Sequence, residues 1–357
     1  MRVVYLAAIS AVFSLFRPGA GQSGTLGLQD GFFSFDTPSF SVQLVKDSQT
    51  LYSLMTKGNS SGFDFIPADV MTQRQSNGNY HLGDITFRAR VVGSSAWTSG
   101  DTAAQRRNVS ALTVSGSTLA AANLLPTLPS RSLLNITRRW VLEGDQLQLL
   151  FDVTNSQTQA VEIGSLGAPL EFNNVRKPIC FVFPSSDISC CILQIFTGRT
   201  AAQTNELCSL FDPYIGQDAG YVQVTPLLGT LPPLVVVPVG KSPLEGWRFL
   251  PESTSQPLGY QSQTFEGLYE WQFHTLAYAQ NEWRNVTPWN APTSATLQPG
   301  ETRTYGLGFV LAPSIRGIES SLQGAKRPVA VGVPGYVLPS DQQGKLFLNY
   351  QIGRAHV

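Results

Sequence analysis

Apolar residues fall at every second position through much of this chain. Phe40-Ser41-Val42-Gln43-Leu44-Val45 alternates, and Asp84 to Arg90 alternates again before running into Val91-Val92. Phe32 to Phe35 is a short apolar run closed by Thr37-Pro38. A period of two turns one face of a strand inward and the other toward water. The clearest hairpin is central. Residues 135–142 enter the turn Glu143-Gly144-Asp145-Gln146, and Leu147, Leu149, Phe151 and Val153 return with Gln148 and Asp152 between them. Gly144 and Asp145 suit the positive-φ positions of a tight turn. Further strands are predicted at 161–163, 221–225, 234–238, 302–310 and 329–333, with Leu297-Gln298-Pro299-Gly300-Glu301 turning into the strand at Thr302. One segment departs from this rhythm. Leu268, Trp271, Leu276, Ala279 and Trp283 stand at roughly helical spacing without an intervening Gly or Pro, which predicts one substantial helix over 268–284, lying against a sheet. The fold class expected is mainly β, a large antiparallel sandwich with one notable helix.

Composition narrows the function classes. Of 357 residues, 24 are Lys or Arg and 24 are Asp or Glu, and charged residues make up 13%. A neutral, charge-poor chain lacks the cationic surplus of a nucleic-acid binder. The first 21 residues have a signal-peptide layout: Met1-Arg2, an apolar run to Phe16, then Arg17-Pro18 and small residues up to Gly21. This predicts secretion, with no membrane span in the chain that remains. Four sequons agree with that route and make Asn59, Asn108, Asn135 and Asn285 candidate glycan acceptors. Pro288 beside the last makes it the weakest of the four. Cys180, Cys190 and Cys191 crowd together and Cys208 stands apart, which leaves three pairings open. There is no CxxC and there are three histidines, so no metal site is expected. GxSxG, Walker, dinucleotide and HExxH motifs are also absent, and nothing calls for a cofactor.

Several constellations could carry chemistry. On the predicted helix Glu266, Glu270 and His274 share one face, making Glu270 and His274 weak candidate catalytic groups; a helix held by i, i+4 pairs is the plainer account of them. Asp212, Tyr214, Asp218 and Tyr221 form a polar-aromatic cluster beside a strand, suited to the apolar faces and hydroxyl rims of a sugar. Aspartates before glycine are also ordinary turn formers. Trp247, between Glu245 and Arg248, is a further carbohydrate-contact candidate. Together with Trp271 and Trp283 it also suits a domain interface. His81 and Asp84 at a strand entry read best as packing residues.

Residues 33–51 (FSFDTPSFSVQLVKDSQTL), 80–90 (YHLGDITFRAR), 211–227 (FDPYIGQDAGYVQVTPL), 265–283 (FEGLYEWQFHTLAYAQNEW), 297–312 (LQPGETRTYGLGFVLA) and 329–341 (VAVGVPGYVLPSD) together resemble a secreted fungal family catalogued as a domain of unknown function. Its members look like six-hairpin glycosidases, with an N-terminal β-sandwich, a linker and an α/α barrel. The resemblance implies that residues 22–325 are the sandwich, that 326–351 begin the linker, and that the barrel is missing here. The acid and base carboxylates of glycoside hydrolysis usually lie at the barrel mouth. Residues 175–194 disturb the resemblance. The stretch starts at a valine codon and ends at a glutamine codon compatible with intron boundaries, and it is expected to be a retained intron, the alternative being a genuine loop held by a disulfide. Residues 352–357 read as translated sequencing adapter. The expected function is that of a non-catalytic sandwich fragment from a glycosidase-like parent, with carbohydrate and its own barrel as partners. The alternatives are a carbohydrate-binding or structural sandwich of the cell surface, or a self-sufficient mutarotase-like enzyme using Glu270 with His274 or His81.

Overall fold

The computed structural model describes residues 24–57, 62–173, 200–240, 242–250, 268–335 and 337–349. Residues 1–21, Asn59, residues 175–194 with Cys180, Cys190 and Cys191, Glu266 and residues 352–357 lie outside the described residues. The strands are β1 (Phe32–Asp36), β2 (Phe40–Val45), β3 (Leu51–Thr56), β4 (Thr86–Val91), β5 (Thr98–Asp101), β6 (Ser110–Ala111), β7 (Thr118–Asn123), β8 (Leu134–Glu143), β9 (Gln146–Asn155) and β10 (Val161–Leu170). They continue as β11 (Ser209–Tyr214), β12 (Tyr221–Pro226), β13 (Leu234–Pro238), β14 (Gly246–Leu250), β15 (Leu268–His274), β16 (Ala295–Leu297), β17 (Thr302–Leu311), β18 (Val329–Val333) and β19 (Lys345–Asn349). Among the described residues three short α-helices accompany them, α1 (Ala201–Leu207), α2 (Leu276–Ala279) and α3 (Ile318–Gly324).

Two large antiparallel sheets make the sandwich. One runs β11-β12-β13-β17-β9-β8-β7-β6; the other runs β14-β15-β10-β4-β5, with β16 also on β10. A smaller sheet, β1-β2-β3, joins their core. Trp140, Phe151 and Phe309 of the first sheet, Phe87, Trp271 and Phe273 of the second and Phe40 of the third belong to one continuous buried cluster. Each large apolar side chain withdrawn from water contributes about 1.5–3 kcal/mol before the entropy of ordering is set against it. The core also holds a charge. Arg138 is buried and donates to the carbonyls of Gly83 and Ser48, tying β8 to the loops beneath it.

The central hairpin forms as its alternation predicts. β8 and β9 pair along ten residues, from Leu134 opposite Asn155 to Glu143 opposite Gln146. Gly144 has φ 58, whereas Asp145 is not left-handed, so the turn needs glycine at its first central position alone.

The helix predicted over 268–284 is not there. Residues 268–274 are strand β15, hydrogen-bonded on both sides, to β14 and to β10, and only Leu276–Ala279 is helical. Tyr269, Trp271 and Phe273 carry a second period, of two, that competes with the helical one. A central strand position offers two ladders and a core face to those aromatics, which an isolated amphipathic helix cannot match. The helices that do form are short. Thr200 caps α1 through a reciprocal capping box with Gln203. α3 lies on the outer side of β13, where Ile318 and Leu322 cover Val235 and Val237. Residues 329–349, within the expected linker, form the β18–β19 hairpin, and every residue of β19 is exposed.

Candidate functional site

Glu270 and His274 share a strand but not a face. A register shift between Leu166 and Gly167 on β10 sets His274 opposite Leu166 and Gln272 opposite Gly167. Glu270 is fully buried and accepts from Thr86 Oγ1 at 2.6 Å, from Arg248 Nε and from Gln272 Nε2. Burial works against the charge of Arg248, yet the Glu270 carboxylate outweighs it and holds the guanidinium above its ordinary value. Arg248 and Arg88 both lie over the Tyr278 ring, at 4.8 and 4.4 Å from its centroid. Arg88 also makes a bidentate pair with Glu282. Burial pushes the Tyr278 hydroxyl up to about 12. The cluster pins α2 and the turn after it to the six-stranded sheet. Its carboxylate has no face open to a substrate.

His274 belongs to a different network. Thr293 Oγ1 donates to Glu245, so it accepts from His274 Nδ1–H at 2.7 Å; His274 Nε2 then accepts from the Tyr305 hydroxyl at 2.9 Å. Burial, with a contribution from Arg303, lowers the His274 pKa to about 4, which fits this neutral tautomer. Glu245 is raised by burial, although Thr275 and Thr293 donate to it and oppose the shift. The relay Glu245–Thr293–His274–Tyr305 therefore latches β15 of one sheet to β17 of the other. It occupies both imidazole nitrogens, so the paired catalytic role considered for Glu270 and His274 has no geometric support. His81 is a packing residue: Nδ1 meets Glu171 at 3.0 Å, Nε2 meets the Arg74 carbonyl at 3.0 Å, and the ring is fully buried.

The polar-aromatic cluster is brought together more closely. β11 and β12 set Tyr214 opposite Tyr221 and Asp212 opposite Gln223 on one face of the edge pair. The tyrosine rings stack at 4.5 Å and 10°. Tyr221 packs on the apolar cluster under α3, while Tyr214 is 48% exposed. Burial raises the Asp212 carboxyl above its ordinary value. Asp218 sits in the intervening turn, exposed, and its carbonyl accepts from Arg327. Its part is the turn-forming one.

Trp247 lies apart from these tyrosines. It stacks on Tyr269 at 5.4 Å and meets Phe211 edge-on, between the two edge strands β14 and β11. Trp271 is fully buried, donating to the Pro243 carbonyl at 2.7 Å, and cannot serve an interface. Trp289, which the sequence reading passed over, is 87% exposed. Among the described residues no three His, Cys, Asp or Glu side chains converge as metal ligands, and no helix is long and apolar enough to cross a membrane.

These layers define an antiparallel β-sandwich whose fold is similar to that of a polysaccharide lyase. The TM-score is 0.56 at 13% identity, over 88% of this chain and 43% of the lyase, so the chain spans less than half of that protein. A galactose mutarotase-like protein from Lactobacillus casei aligns over 79% of this chain and 100% of its own at 11% identity and TM-score 0.34. A putative aldose 1-epimerase from Escherichia coli aligns over 78% and 98% at 10% and 0.38. The chain belongs to the family of unknown function DUF5695, whose model matches residues 43–178 and 187–357. The interruption falls within the 175–194 stretch. No curated protein matches the chain.

Proposed function

We propose that this chain is the sandwich part of a longer, secreted carbohydrate-active protein, and that it contacts glycan without itself catalysing a reaction. The observation that carries the reading is the fold likeness to a polysaccharide lyase that extends well beyond the matched sandwich. The signal-peptide layout and sequons support the secreted route. An α/α barrel following the sandwich, as in six-hairpin glycosidases, is the expected companion, and the parent's acid and base would lie there. The engaged state of Glu270 and His274 supports a non-catalytic role for the sandwich.

The contact surface is the Tyr214–Tyr221 stack with Asp212 beside it. An exposed ring held flat by a second ring presents its π-face at little cost in side-chain entropy, and the C–H face of a sugar packs there while a neighbouring carboxyl accepts its hydroxyls. The full chain is tested by affinity electrophoresis against soluble plant and fungal cell-wall glycans, with reducing-sugar and unsaturated-product assays alongside. Retardation by at least one glycan, lost in Tyr214→Ala without a change in unfolding midpoint, is the expected result. Glycan turnover by this chain alone, or retardation indifferent to Tyr214, overturns the reading.

A further inference from the structure

The segment after α2 carries a sequon in an unusual setting. Trp283-Arg284-Asn285-Val286-Thr287 places an aromatic residue two positions before the asparagine. The other three sequons have Lys57, Arg106 and Leu133 at that position. The Val286 amide donates to the Trp283 carbonyl at 3.0 Å, closing a β-turn in which Trp283 and Asn285 are the first and third residues. Asn285 and Thr287 are exposed, and Val286 is 62% exposed.

The turn is firmly mounted. The Trp283 amide donates to the Tyr278 carbonyl at 2.9 Å, and its indole lies 5.0 Å from the Tyr278 ring at 30°. Tyr278 is itself held by the two guanidinium groups over its ring. Beyond the turn, Asn290 Nδ2 donates to the Glu245 carbonyl at 2.9 Å and anchors the segment's far end. Trp283 nevertheless stays only half-buried. By contrast Asn135 lies within β8 with its Oδ1 buried and without a hydrogen-bond partner.

We propose that Asn285 is an N-glycan acceptor whose first sugar packs on the Trp283 indole, so that the glycan caps the Tyr278–Arg88–Arg248 stack. The inference rests on the secreted reading given above. In the transfer, the Asn285 amide nitrogen bonds to the anomeric carbon of a lipid-linked oligosaccharide. The carbon–oxygen bond to the lipid diphosphate breaks, and the amide gives up one proton. The two-residue offset across a single turn brings the attached ring beside the indole, and the sugar's C–H face covers apolar surface that water otherwise wets.

The chain is expressed in a glycosylating secretory host twice, behind its own first 21 residues and behind a heterologous leader. Enzymatic glycan release in heavy-oxygen water, followed by peptide mass spectrometry, marks each occupied asparagine. Against the handicap of Pro288, Asn285 should be occupied in most molecules, several-fold less in Trp283→Thr, and normally in Trp283→Phe. Asn285→Gln should lower Tm by about 1–3 °C, and adding Trp283→Thr to it should lower Tm by less than Trp283→Thr does in the glycosylated chain. An unoccupied Asn285 under both leaders, or occupancy and Tm indifferent to Trp283, overturns the proposal. A chain left unglycosylated only behind its own leader overturns the secreted reading instead, and the platform is then judged on the other preparation.

Discussion

The Glu270–Arg248 pair yields an asymmetric prediction. Both members are charged, but they are not equally placed: the Glu270 side chain is 0% exposed and that of Arg248 is 17% exposed. Arg248→Met strands a wholly buried carboxylate that keeps only Thr86 and Gln272 as donors. Removing one partner of a buried pair costs about 3–5 kcal/mol, because the remaining charge has no compensation. Glu270→Gln keeps the shape and an acceptor for Thr86, and leaves Arg248 within reach of solvent and over the Tyr278 ring. Its cost should be nearer 1–2 kcal/mol, that of a lost charge-assisted hydrogen bond. The double variant should fall well short of the sum, by about 2 kcal/mol.

Urea unfolding of the full chain, read by tryptophan fluorescence, gives the midpoints. The comparison holds where the slope with denaturant is unchanged among variants. The expected order of loss is Arg248→Met, then the double variant, then Glu270→Gln. If Glu270→Gln proves as damaging as Arg248→Met, the buried carboxylate is not the strained member and the reasoning fails. If Glu270→Gln instead leaves stability unchanged and abolishes glycan retardation, Glu270 is a binding group and its structural assignment is wrong.

Three further outcomes follow from single observations. A methyl group on Gly164 would run into the Trp97 ring, over which Arg90 lies at 3.9 Å, so Gly164→Ala should cost about 1–3 kcal/mol by urea unfolding while Gly144→Asn in the open turn costs less than 1 kcal/mol. Because His274 is lowered to about 4 from 6.5, the unfolded chain binds the extra proton between those values; stability is full above about pH 6.5 and falls as pH drops toward 4, and a pH series of midpoints should lose that slope in His274→Gln. Asp47 has the opposite sign: burial, then the hydrogen bond and charge of Asp30, push it up to about 6 from 3.8, so its contribution is complete below 3.8 and lost as pH rises through 6, and Asp47→Asn should raise Tm above pH 6 but not at pH 3.5.

Strand rhythm was the legible part of this molecule. Phe40 to Val45 and the 135–153 hairpin pair where their alternation placed them, since burial of one sheet face enforces a period that sequence records directly, and 234–238, an apolar run covered on both faces, and 302–310 are strands as expected. The segment after Leu268 misled because two periods overlap in it: Leu268, Trp271 and Leu276 answer to a helix and Tyr269, Trp271 and Phe273 to a strand. Only the vacant position between β14 and β10, a long-range fact, decides between them. The expectation that Glu270 and His274 share a face failed for the same reason, because four residues means one face on a helix and the register shift between β10 and β15 separates them on this strand. Asp212 and Tyr214 did come together with Tyr221, through a hairpin whose period was visible. The stack of Arg88 and Arg248 on Tyr278 was not legible, for nothing in sequence shows that strands 160 positions apart present both to one tyrosine.

A charge-poor chain might be expected to keep its few charges in water, and this one does not. Asp84 pairs with Arg106, Glu171 with Arg74 and His81, and Glu270 with Arg248, while Arg138 donates to two carbonyls and Glu245 accepts from hydroxyl and amide donors; all of these groups except the partly covered Arg248 are buried. Each sits at a seam: strand entry to core, α2 to sheet, or sheet to sheet. Buried ion pairs contribute little net stability but penalise any arrangement that leaves one member alone, so their work here is to fix how the layers meet. Clusters of acids and bases, the usual pointer to an active site, thus mark architecture in this protein. Exposed rings and neutral polar groups stand apart from these seams: Tyr214 on its partner, Trp289 on its loop, and the threonines of β9 and β17, where Thr154 meets Thr302 at 2.7 Å. If a neutral glycan is held by the Tyr214 ring and its polar neighbours, as proposed above, its retention should be nearly indifferent to salt, unlike that of a ligand in a charged groove.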